Sequence, residues 1–313
     1  MVTSRRAGAL AVALILFSSC GSPSPTLPTP SPSTRPLFVP VIAAAGDISC
    51  APGMRASCKQ METADVVGQI GANVVLALGD NQYDSGELAD FLAAYEPSWG
   101  RFRSGTRPVP GNHEYQMPFA RGYYDYFNGP GRPTGPAGDR TRGYYSFDVG
   151  AWHVIALNSN CREVGGCQAG SPQEVWLRLD LQSSDSRCTL AFFHHPLFAS
   201  GVNGNTPQVR PLWQALYDFD ADVILNGHEH VYERFAPQTP QGVADPRRGV
   251  RQFVVGTGGH SLTHFVDVQP NSEVRSNRAF GVLKMELGGD QYSWEFRPIA
   301  GAHFEDSGTG ACH

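Results

Sequence analysis

The chain has 313 residues and a formal net charge of −5, with 41% hydrophobic and 11% aromatic residues. This length permits a large buried core in one or two domains, and the acidic balance offers no basic face for a nucleic-acid backbone. The 35 glycines and 24 prolines indicate many turns and long connections rather than a helical bundle.

The first segment, residues 1–20, has the pattern of an export signal. Arg5 and Arg6 precede an apolar run over residues 7–17. That run is shorter than the ~20 apolar residues that a membrane-spanning helix needs, and its composition is that of a signal-peptide core. Small residues then lead to Cys20, which resembles a bacterial lipoprotein signal. We expect a lipoprotein-type signal peptide with Cys20 as the lipid anchor and the only membrane contact. A secreted protein cleaved nearby is the alternative.

Residues 21–38 are rich in Ser, Pro and Thr. Such a segment cannot bury a core and behaves as an extended tether. We therefore expect one folded domain over residues 39–313, held away from a membrane by the tether. The sequence leaves the oligomeric state open.

Six cysteines follow Cys20, and an even number in an exported chain suggests disulfides. Six cysteines allow fifteen pairings, and the sequence does not choose among them. Short intervening loops favour Cys50–Cys58 and Cys161–Cys167, which leaves Cys188–Cys312. Metal binding by thiolates is disfavoured because no Cys-x-x-Cys is present.

The folded part alternates strands with helices and then adds strands near its end. Strands are predicted at 41–45, 74–78, 107–110, 144–149, 152–158, 188–193, 222–225, 231–235, 250–255, 281–287 and 292–297. Helices are predicted at 60–70, 87–95, 171–182 and 208–219. Residues 115–142 show little periodicity. This order predicts two stacked sheets with helices outside them.

Five polar motifs follow predicted strands. They are Gly46-Asp47, Gly79-Asp80-Asn81-Gln82-Tyr83, Gly111-Asn112-His113-Glu114, His194-His195-Pro196 and Gly227-His228-Glu229-His230. Open α/β sheets bind their ligands at the carboxyl ends of strands, so these motifs should converge. The expected metal ligands are Asp47, Asp80, Tyr83, Asn112 and three of the histidines in the last two motifs.

Carboxylate, phenolate and imidazole donors suit hard and borderline cations. Two cations about 3.5–4 Å apart need an anionic bridge, can turn a bound water into a hydroxide near neutral pH and can clamp a phosphate. His113 follows a predicted ligand, and we expect it to bind substrate and to protonate the leaving oxygen as a general acid. The motifs therefore predict a two-metal site that hydrolyses a phosphate ester.

The ordered motifs resemble those of the calcineurin-like metallophosphoesterases, and the tyrosine of the second motif resembles the purple acid phosphatases. The resemblance covers about residues 40–300, and Gly256-Thr257-Gly258-Gly259 also fits it. It implies an α/β fold, a four-layer α/β/β/α sandwich of two mixed sheets flanked by helices. It also implies Fe(III) beside a divalent ion (Fe, Zn or Mn), with the purple colour arising from tyrosinate bound to ferric iron.

The same resemblance implies a role for each ligand. Asp47, Tyr83 and His230 would bind the ferric ion. Asn112, His194 and His228 would bind the divalent ion. Asp80 would bridge the two.

Two positions depart from the family pattern. Gln82 stands where the family usually has Phe. Many members also carry a substrate-binding histidine after the fourth motif, and residues 199–205 contain none. We expect Asn203 or Asn205 to contact the phosphate instead.

Other polar residues are expected to be structural. His195 should lie outside the ligand set, and Glu229 should point to the opposite face of its strand end, although a hydrogen bond to a neighbour is possible. His153 is expected to be a satisfied core or surface histidine. No motif supports a role for His260, His264, His303 or His313.

The sequence therefore predicts an exported acid phosphatase that acts on phosphomonoesters. One alternative is a phosphodiesterase on the same scaffold, because both reactions can use metal-bound hydroxide. The other is a surface-binding lipoprotein with an inactive site, which the complete ligand set disfavours. The natural substrate cannot be read from the sequence.

Overall fold

The computed structural model describes residues 1, 2, 13, 39–54 and 58–313. The predicted anchor Cys20, the tether over residues 21–38 and most of the signal segment lie outside the described residues. The chain divides into two compact units, Met1–Leu37 and Phe38–His313, and the fold below is that of the second. None of the helices described is both long and apolar enough to cross a membrane.

Fifteen strands and five α-helices are described. The strands are β1 Val41–Ala45, β2 Val74–Leu78, β3 Thr106–Val109, β4 Thr134–Gly135, β5 Gly138–Asp139, β6 Tyr145–Val149, β7 Trp152–Ala156, β8 Cys188–Phe192, β9 Val223–Asn226, β10 Tyr232–Phe235, β11 Arg251–Val255, β12 Ser272–Ser276, β13 Gly281–Leu287, β14 Gln291–Pro298 and β15 Ser307–Ala311. The helices are α1 Gln60–Ile70, α2 Leu88–Asp90, which continues as a π-helical turn over Phe91–Tyr95, α3 Arg121–Phe127, α4 Pro172–Ser183 and α5 Arg210–Asp218.

The strands form two large mixed sheets and one short hairpin of β4 with β5. The first sheet has the order β15-β14-β13-β1-β2-β3, with β1, β2 and β3 parallel. The second has the order β12-β10-β11-β9-β8-β7-β6, with β7, β8, β9 and β11 parallel. The carboxyl ends of β1, β2, β8 and β9 therefore carry four of the five polar motifs.

Alternating side chains of the second sheet face two different cores. In β8, Leu190 and Phe192 join a cluster shared with the facing sheet, whereas Ala191 packs with Leu177 of α4 and Leu212 of α5. Both faces of the strand are therefore buried, which explains its continuous apolar run. The first sheet is covered in turn by α1. The result is the expected α/β/β/α sandwich.

The predicted strands and helices are confirmed, with ends that shift by a few residues. The N-terminus of α4 forms as predicted, with the Ser171 hydroxyl accepting the Glu174 amide at 3.4 Å. The prediction missed α3 and the short hairpin of β4 and β5, which lie within residues 115–142, as well as β12 and β15. All but the first residue of α3 are buried, so the helix shows no amphipathic periodicity. The sequence of β15 alternates Gly with small residues and has weak strand propensity.

The three favoured cysteine pairs are all disulfide-bonded: Cys50–Cys58, Cys161–Cys167 and Cys188–Cys312. The third joins the start of β8 to the residue after β15. It therefore ties the C-terminal edge of one sheet to a central strand of the other.

Candidate metal centre

The polar motifs meet at one edge of the two sheets. The loop after β1 runs beside the loop after β2, since the Asp47 amide donates to the Gly79 carbonyl at 3.0 Å. Three predicted ligands have positive φ angles: 58° at Asp47, 47° at Asp80 and 70° at His228. This left-handed conformation is unfavourable for non-glycine residues and is concentrated at functional sites. The backbone is strained where these side chains turn toward one another.

Three predicted ligands form a first triangle of donor atoms. The Tyr83 hydroxyl lies 2.8 Å from Asp47 Oδ1 and 3.0 Å from His230 Nε2. His230 Nε2 lies 3.2 Å from Asp47 Oδ1. These are the three residues expected to share one ion.

A second group of donors surrounds His194 Nε2. Asn112 Oδ1 lies 3.2 Å away, Asp80 Oδ2 3.2 Å away and His228 Nδ1 3.3 Å away. Asp80 Oδ2 also lies 3.1 Å from the Tyr83 hydroxyl. One carboxylate oxygen is therefore common to both groups, which is the position that a bridging ligand occupies.

The spacing of these atoms fits a pair of cations. Two donors bound at about 2.1 Å and at right angles are separated by about 3 Å. The separations in both groups lie between 2.8 and 3.3 Å. The donors are carboxylates, a phenol, an amide oxygen and imidazoles, without a thiol, which suits iron, zinc or manganese.

Hydrogen bonds to the backbone fix the orientation of the donor side chains, because they use the polar atoms that point away from the centre. His194 Nδ1 lies 2.9 Å from the Leu78 carbonyl, which can only accept, so Nε2 keeps its lone pair for a cation. Asp47 Oδ2 accepts the His228 amide at 2.8 Å. Asp80 Oδ1 accepts the His113 amide at 2.9 Å. The other oxygen of each carboxylate, Asp47 Oδ1 or Asp80 Oδ2, therefore lies among the donor atoms of the centre.

The electrostatics of the protein groups also favour bound cations. Burial opposes ionisation of Asp80, but the facing His194 outweighs it and holds the pKa of this carboxyl well below its usual range. Burial lowers the pKa of His194, but Asp80 and Asp47 together raise it to about 9. Burial and then Asp47 and Asp80 raise the pKa of Tyr83 well above its ordinary value. A phenolate at this position therefore requires a cation beside it.

Glu114 is a structural anchor that sequence reasoning did not assign. Its side chain is fully buried, and its two oxygens accept four backbone amides, those of Asp80, Asn81, Gln82 and Gly111, at 2.7–3.1 Å. One carboxylate therefore ties the loop after β2 to the loop after β3. The signal in the sequence was only its position at the end of the third motif.

His113 lies at the Tyr83 end of the centre. Its ring centroid is 4.2 Å from that of Tyr83, and its Nε2 is 3.9 Å from Asp80 Oδ2. Its Nδ1 contacts the Asp84 carbonyl, which can only accept a proton. Nε2 is therefore the nitrogen that faces the centre, and 27% of the side chain is exposed to solvent.

Two further histidines border the centre: His260, for which no role was expected, and His195, which was expected to lie outside the ligand set. His260 stacks on Tyr83 with ring centroids 3.7 Å apart, and its Nδ1 contacts Ser261 Oγ at 3.0 Å. His195 lies at the other end, with its ring 4.4 Å from that of His228 and 4.9 Å from that of His194. Burial, reinforced by these two imidazoles, holds the pKa of His195 well below its usual value.

The loop after the fourth motif uses its two asparagines differently. Asn203 donates to the His228 carbonyl at 3.3 Å and so borders the centre. Asn205 accepts the Ala199 amide at 2.8 Å and donates to Gln269 at 3.0 Å, within the loop network. Glu229 is buried and accepts the Gly204 amide at 2.6 Å, so it holds this loop and does not point into the centre.

His153 is distant from this chemistry, as expected. It is buried between Asp148 and Asp180, each 2.9 Å from one of its ring nitrogens. Both nitrogens are satisfied, and the residue is structural.

Comparison with known proteins agrees with this geometry. Residues 41–232 match the family described as Calcineurin-like phosphoesterase. Purple acid phosphatase 18 of Arabidopsis thaliana is 26% identical over 300 residues, which cover 90% of this chain and 64% of that protein. Acid phosphatase type 7 of Danio rerio is 28% identical over 238 residues, covering 64% of this chain and 49% of that protein. The chain thus spans about half to two thirds of the length of these relatives.

Solved structures show the same fold. A purple acid phosphatase from yellow lupin (Lupinus luteus) seeds superposes with a TM-score of 0.71 at 18% identity, covering 88% of this chain and 54% of the lupin chain. GAP50, described as an anchor in the inner membrane complex of Plasmodium, superposes with a TM-score of 0.64 at 13% identity, covering 88% and 89%. At these identities the likeness establishes the architecture alone.

Proposed function

Because the chain belongs to the calcineurin-like phosphoesterase family, we propose that it is a dinuclear-metal phosphoric ester hydrolase, and specifically an acid phosphatase acting on monoesters. The observation that carries the proposal is the shared position of Asp80 Oδ2, 3.1 Å from the Tyr83 hydroxyl and 3.2 Å from His194 Nε2. A carboxylate oxygen between two sets of donors is the arrangement that a metal pair requires.

The proposal assigns each set of donors to one ion. Asp47, Tyr83 and His230 would hold Fe(III), for which the phenolate is a suitable ligand. Asn112, His194 and His228 would hold a divalent ion (Fe, Zn or Mn). Such a pair, when bound, supplies a nucleophile from water and neutralises the charge of the phosphoryl group.

His113 would donate the proton that the departing alcohol oxygen needs. Its Nδ1 contacts the Asp84 carbonyl and Gln116 Nε2, which leaves Nε2 toward the centre. The imidazole is also partly open to solvent, so that it can recover a proton after each turnover. Asn203, at the border of the centre, is the favoured asparagine for a contact with the phosphate; Asn205 is engaged elsewhere.

We also propose that the protein acts outside the cytoplasm. Three disulfides are typical of an oxidising compartment. Attachment through Cys20 stays a prediction, and mass spectrometry of the membrane fraction would test it by the mass of a lipidated N-terminal peptide.

Elemental analysis of purified protein, combined with its visible spectrum, tests the metal assignment. We expect two metals per chain, at least one of them iron, and a visible band from the phenolate–iron pair. Fewer than two ions after replenishment would contradict the proposal.

Turnover of a phosphomonoester against a bis-ester of the same alcohol tests the reaction. We expect the monoester to be hydrolysed faster, most strongly at acidic to neutral pH. Preference for the bis-ester would establish the phosphodiesterase alternative. No turnover of either at full metal occupancy would establish a non-catalytic binding protein.

A further inference from the structure

Two imidazoles at the rim of the centre, those of His260 and His195, belong neither to the proposed ligand set nor to the general acid, and His195 is the one beside His194 and His228. One ring nitrogen from each of His194, His195 and His228 lies within 4.8 Å of the other two. His195 therefore stands beside the donors assigned to the divalent ion, whereas His113 stands beside Tyr83. His113 and His195 therefore flank opposite ends of the centre.

A buried serine determines how His195 is oriented. The Ser159 hydroxyl accepts the backbone amide of His195 at 2.9 Å. In the part of the chain that the structure describes, its one other partner is Nδ1 of the same histidine, at 2.8 Å. The hydroxyl proton therefore goes to Nδ1, which acts as the acceptor. The proton of the neutral imidazole must then reside on Nε2.

This contact gives the ring a fixed position and a fixed tautomer. Ser159 is only 5% exposed, so water does not compete strongly for its hydroxyl. Within the described residues, Nε2 of His195 has no hydrogen-bond partner. The ring that carries this N–H group lies beside those of His194 and His228, with centroids 4.9 and 4.4 Å away. An N–H group without an acceptor among the described residues suits an anionic ligand in the centre.

The nearby loop does not provide an equivalent donor. Residues 199–205 lack histidine. The Asn203 amide donates to the His228 carbonyl, and Asn205 is engaged by Ala199 and Gln269. His195 is therefore the imidazole placed to contact a substrate from the His228 end.

We propose that His195 donates a hydrogen bond from Nε2 to a phosphoryl oxygen of the substrate, and that Ser159 is the positioning residue that fixes this donor. This inference rests on the proposed function, because it requires a phosphate in the centre. It assigns His195 to substrate binding and not to the metal ligand set.

The test measures the affinity of the metal-loaded, full-length protein for inorganic phosphate by calorimetry. His195→Ala should weaken phosphate binding about tenfold or more, as expected for a lost hydrogen bond to a charged group. His195→Gln, which keeps an N–H donor, should recover part of this loss. The exposed histidine variant His303→Ala is the matched control and should bind phosphate like the wild type.

A double-mutant cycle tests the role of Ser159. Ser159→Ala should weaken phosphate binding less than His195→Ala does, and should add little once His195 is already alanine. The KM of a monoester should rise with the phosphate dissociation constant while kcat changes less, because the contact is present in the ground state as well. Additive effects of the two substitutions would overturn the positioning role.

Metal content separates the competing outcomes. Two ions per chain in every variant, with weaker phosphate binding, support the proposal. Loss of one ion from His195→Ala would show that the residue is a metal ligand and would overturn it. Unchanged phosphate affinity in His195→Ala overturns this inference alone. A wild-type protein that holds two ions but binds no phosphate would overturn the proposed function as well.

Discussion

Asp80 and His194 meet across the gap between the two sheets, with Asp80 Oδ2 3.2 Å from His194 Nε2. Asp80 follows β2 of the first sheet, and His194 follows β8 of the second. The same oxygen of Asp80 lies 3.1 Å from the Tyr83 hydroxyl. The geometry of the centre therefore depends on how the two sheets are stacked. Asp80 is the residue that contacts donors from both groups.

Replacing Asp80 by Asn should lower the affinity for both metals together. The amide keeps the size of the side chain but removes the negative charge and one acceptor from the position between the donor groups. We expect less than one ion per chain to be retained after dialysis against a chelator, measured by elemental analysis. Asp65→Asn, at an exposed carboxylate paired with Arg101, is the control and should keep both ions. Selective loss of one ion would contradict the bridging role.

Replacing Tyr83 by Phe should remove the visible absorption while leaving the fold intact. The phenol oxygen contacts Asp47, Asp80 and His230, so its loss deprives one ion of an anionic ligand. The visible spectrum of iron-loaded protein is the measurement. Tyr123→Phe is matched, since this buried hydroxyl also donates a hydrogen bond, to the Pro108 carbonyl at 3.0 Å, but lies outside the donor set. An unchanged band in Tyr83→Phe would rule out tyrosinate as the iron ligand.

Replacing Glu114 by Gln should destabilise the protein and weaken the centre without removing a ligand. Each carboxylate oxygen accepts two backbone amides. The glutamine carbonyl oxygen can still accept one of these pairs, but its NH₂ group cannot accept the other. Leaving two buried amides unpaired costs about 1–3 kcal/mol each, so we expect the free energy of unfolding to fall by ~2–6 kcal/mol. Urea unfolding is the measurement.

The exposed Glu87→Gln is the control for Glu114→Gln and should be neutral. The substitution at Glu114 should also increase metal loss to a chelator, because it loosens the loop that carries Asp80. Equal stability of the two variants would show that the four amide contacts contribute little.

The convergence of the proposed metal donors could be predicted from the sequence because each lies in a short motif that follows a strand. Asp47 and His228 are examples: strand ends bring them together whatever the details of packing. The two stacked sheets with helices outside them followed from the order of the elements, and the four-layer sandwich from the family resemblance. These features depend on local sequence pattern and on the order of the elements, and both can be read from the sequence.

The supporting residues could not be predicted in this way. Ser159 and His195 are paired through space, and no local pattern relates them. His260 follows a glycine-rich turn, and only tertiary packing places its ring on Tyr83. Helix α3 was missed because burial on all sides removes the periodicity that identifies a helix.

His153 should make the stability of the fold depend on pH, away from the metal centre. It lies on β7 between Asp180 of α4 and Asp148 of β6. The hydrogen bond to Asp180 and then that to Asp148 raise the pKa of His153 above its ordinary value, although burial opposes them. Its protonated form is therefore favoured more in the folded than in the unfolded protein.

The sign of this effect follows from the raised pKa. The stabilisation should be fully present below the unfolded pKa of about 6.5 and should disappear as the pH rises through the higher folded pKa. We expect the difference in unfolding free energy between wild type and His153→Gln to shrink from about pH 5 to pH 9. Asp180→Asn should reduce this pH-dependent stabilisation more than Asp148→Asn does. The reason is exposure to solvent, because the Asp180 side chain is 15% exposed and that of Asp148 is 70% exposed. A difference that stays constant with pH would show that His153 contributes by packing and not by charge.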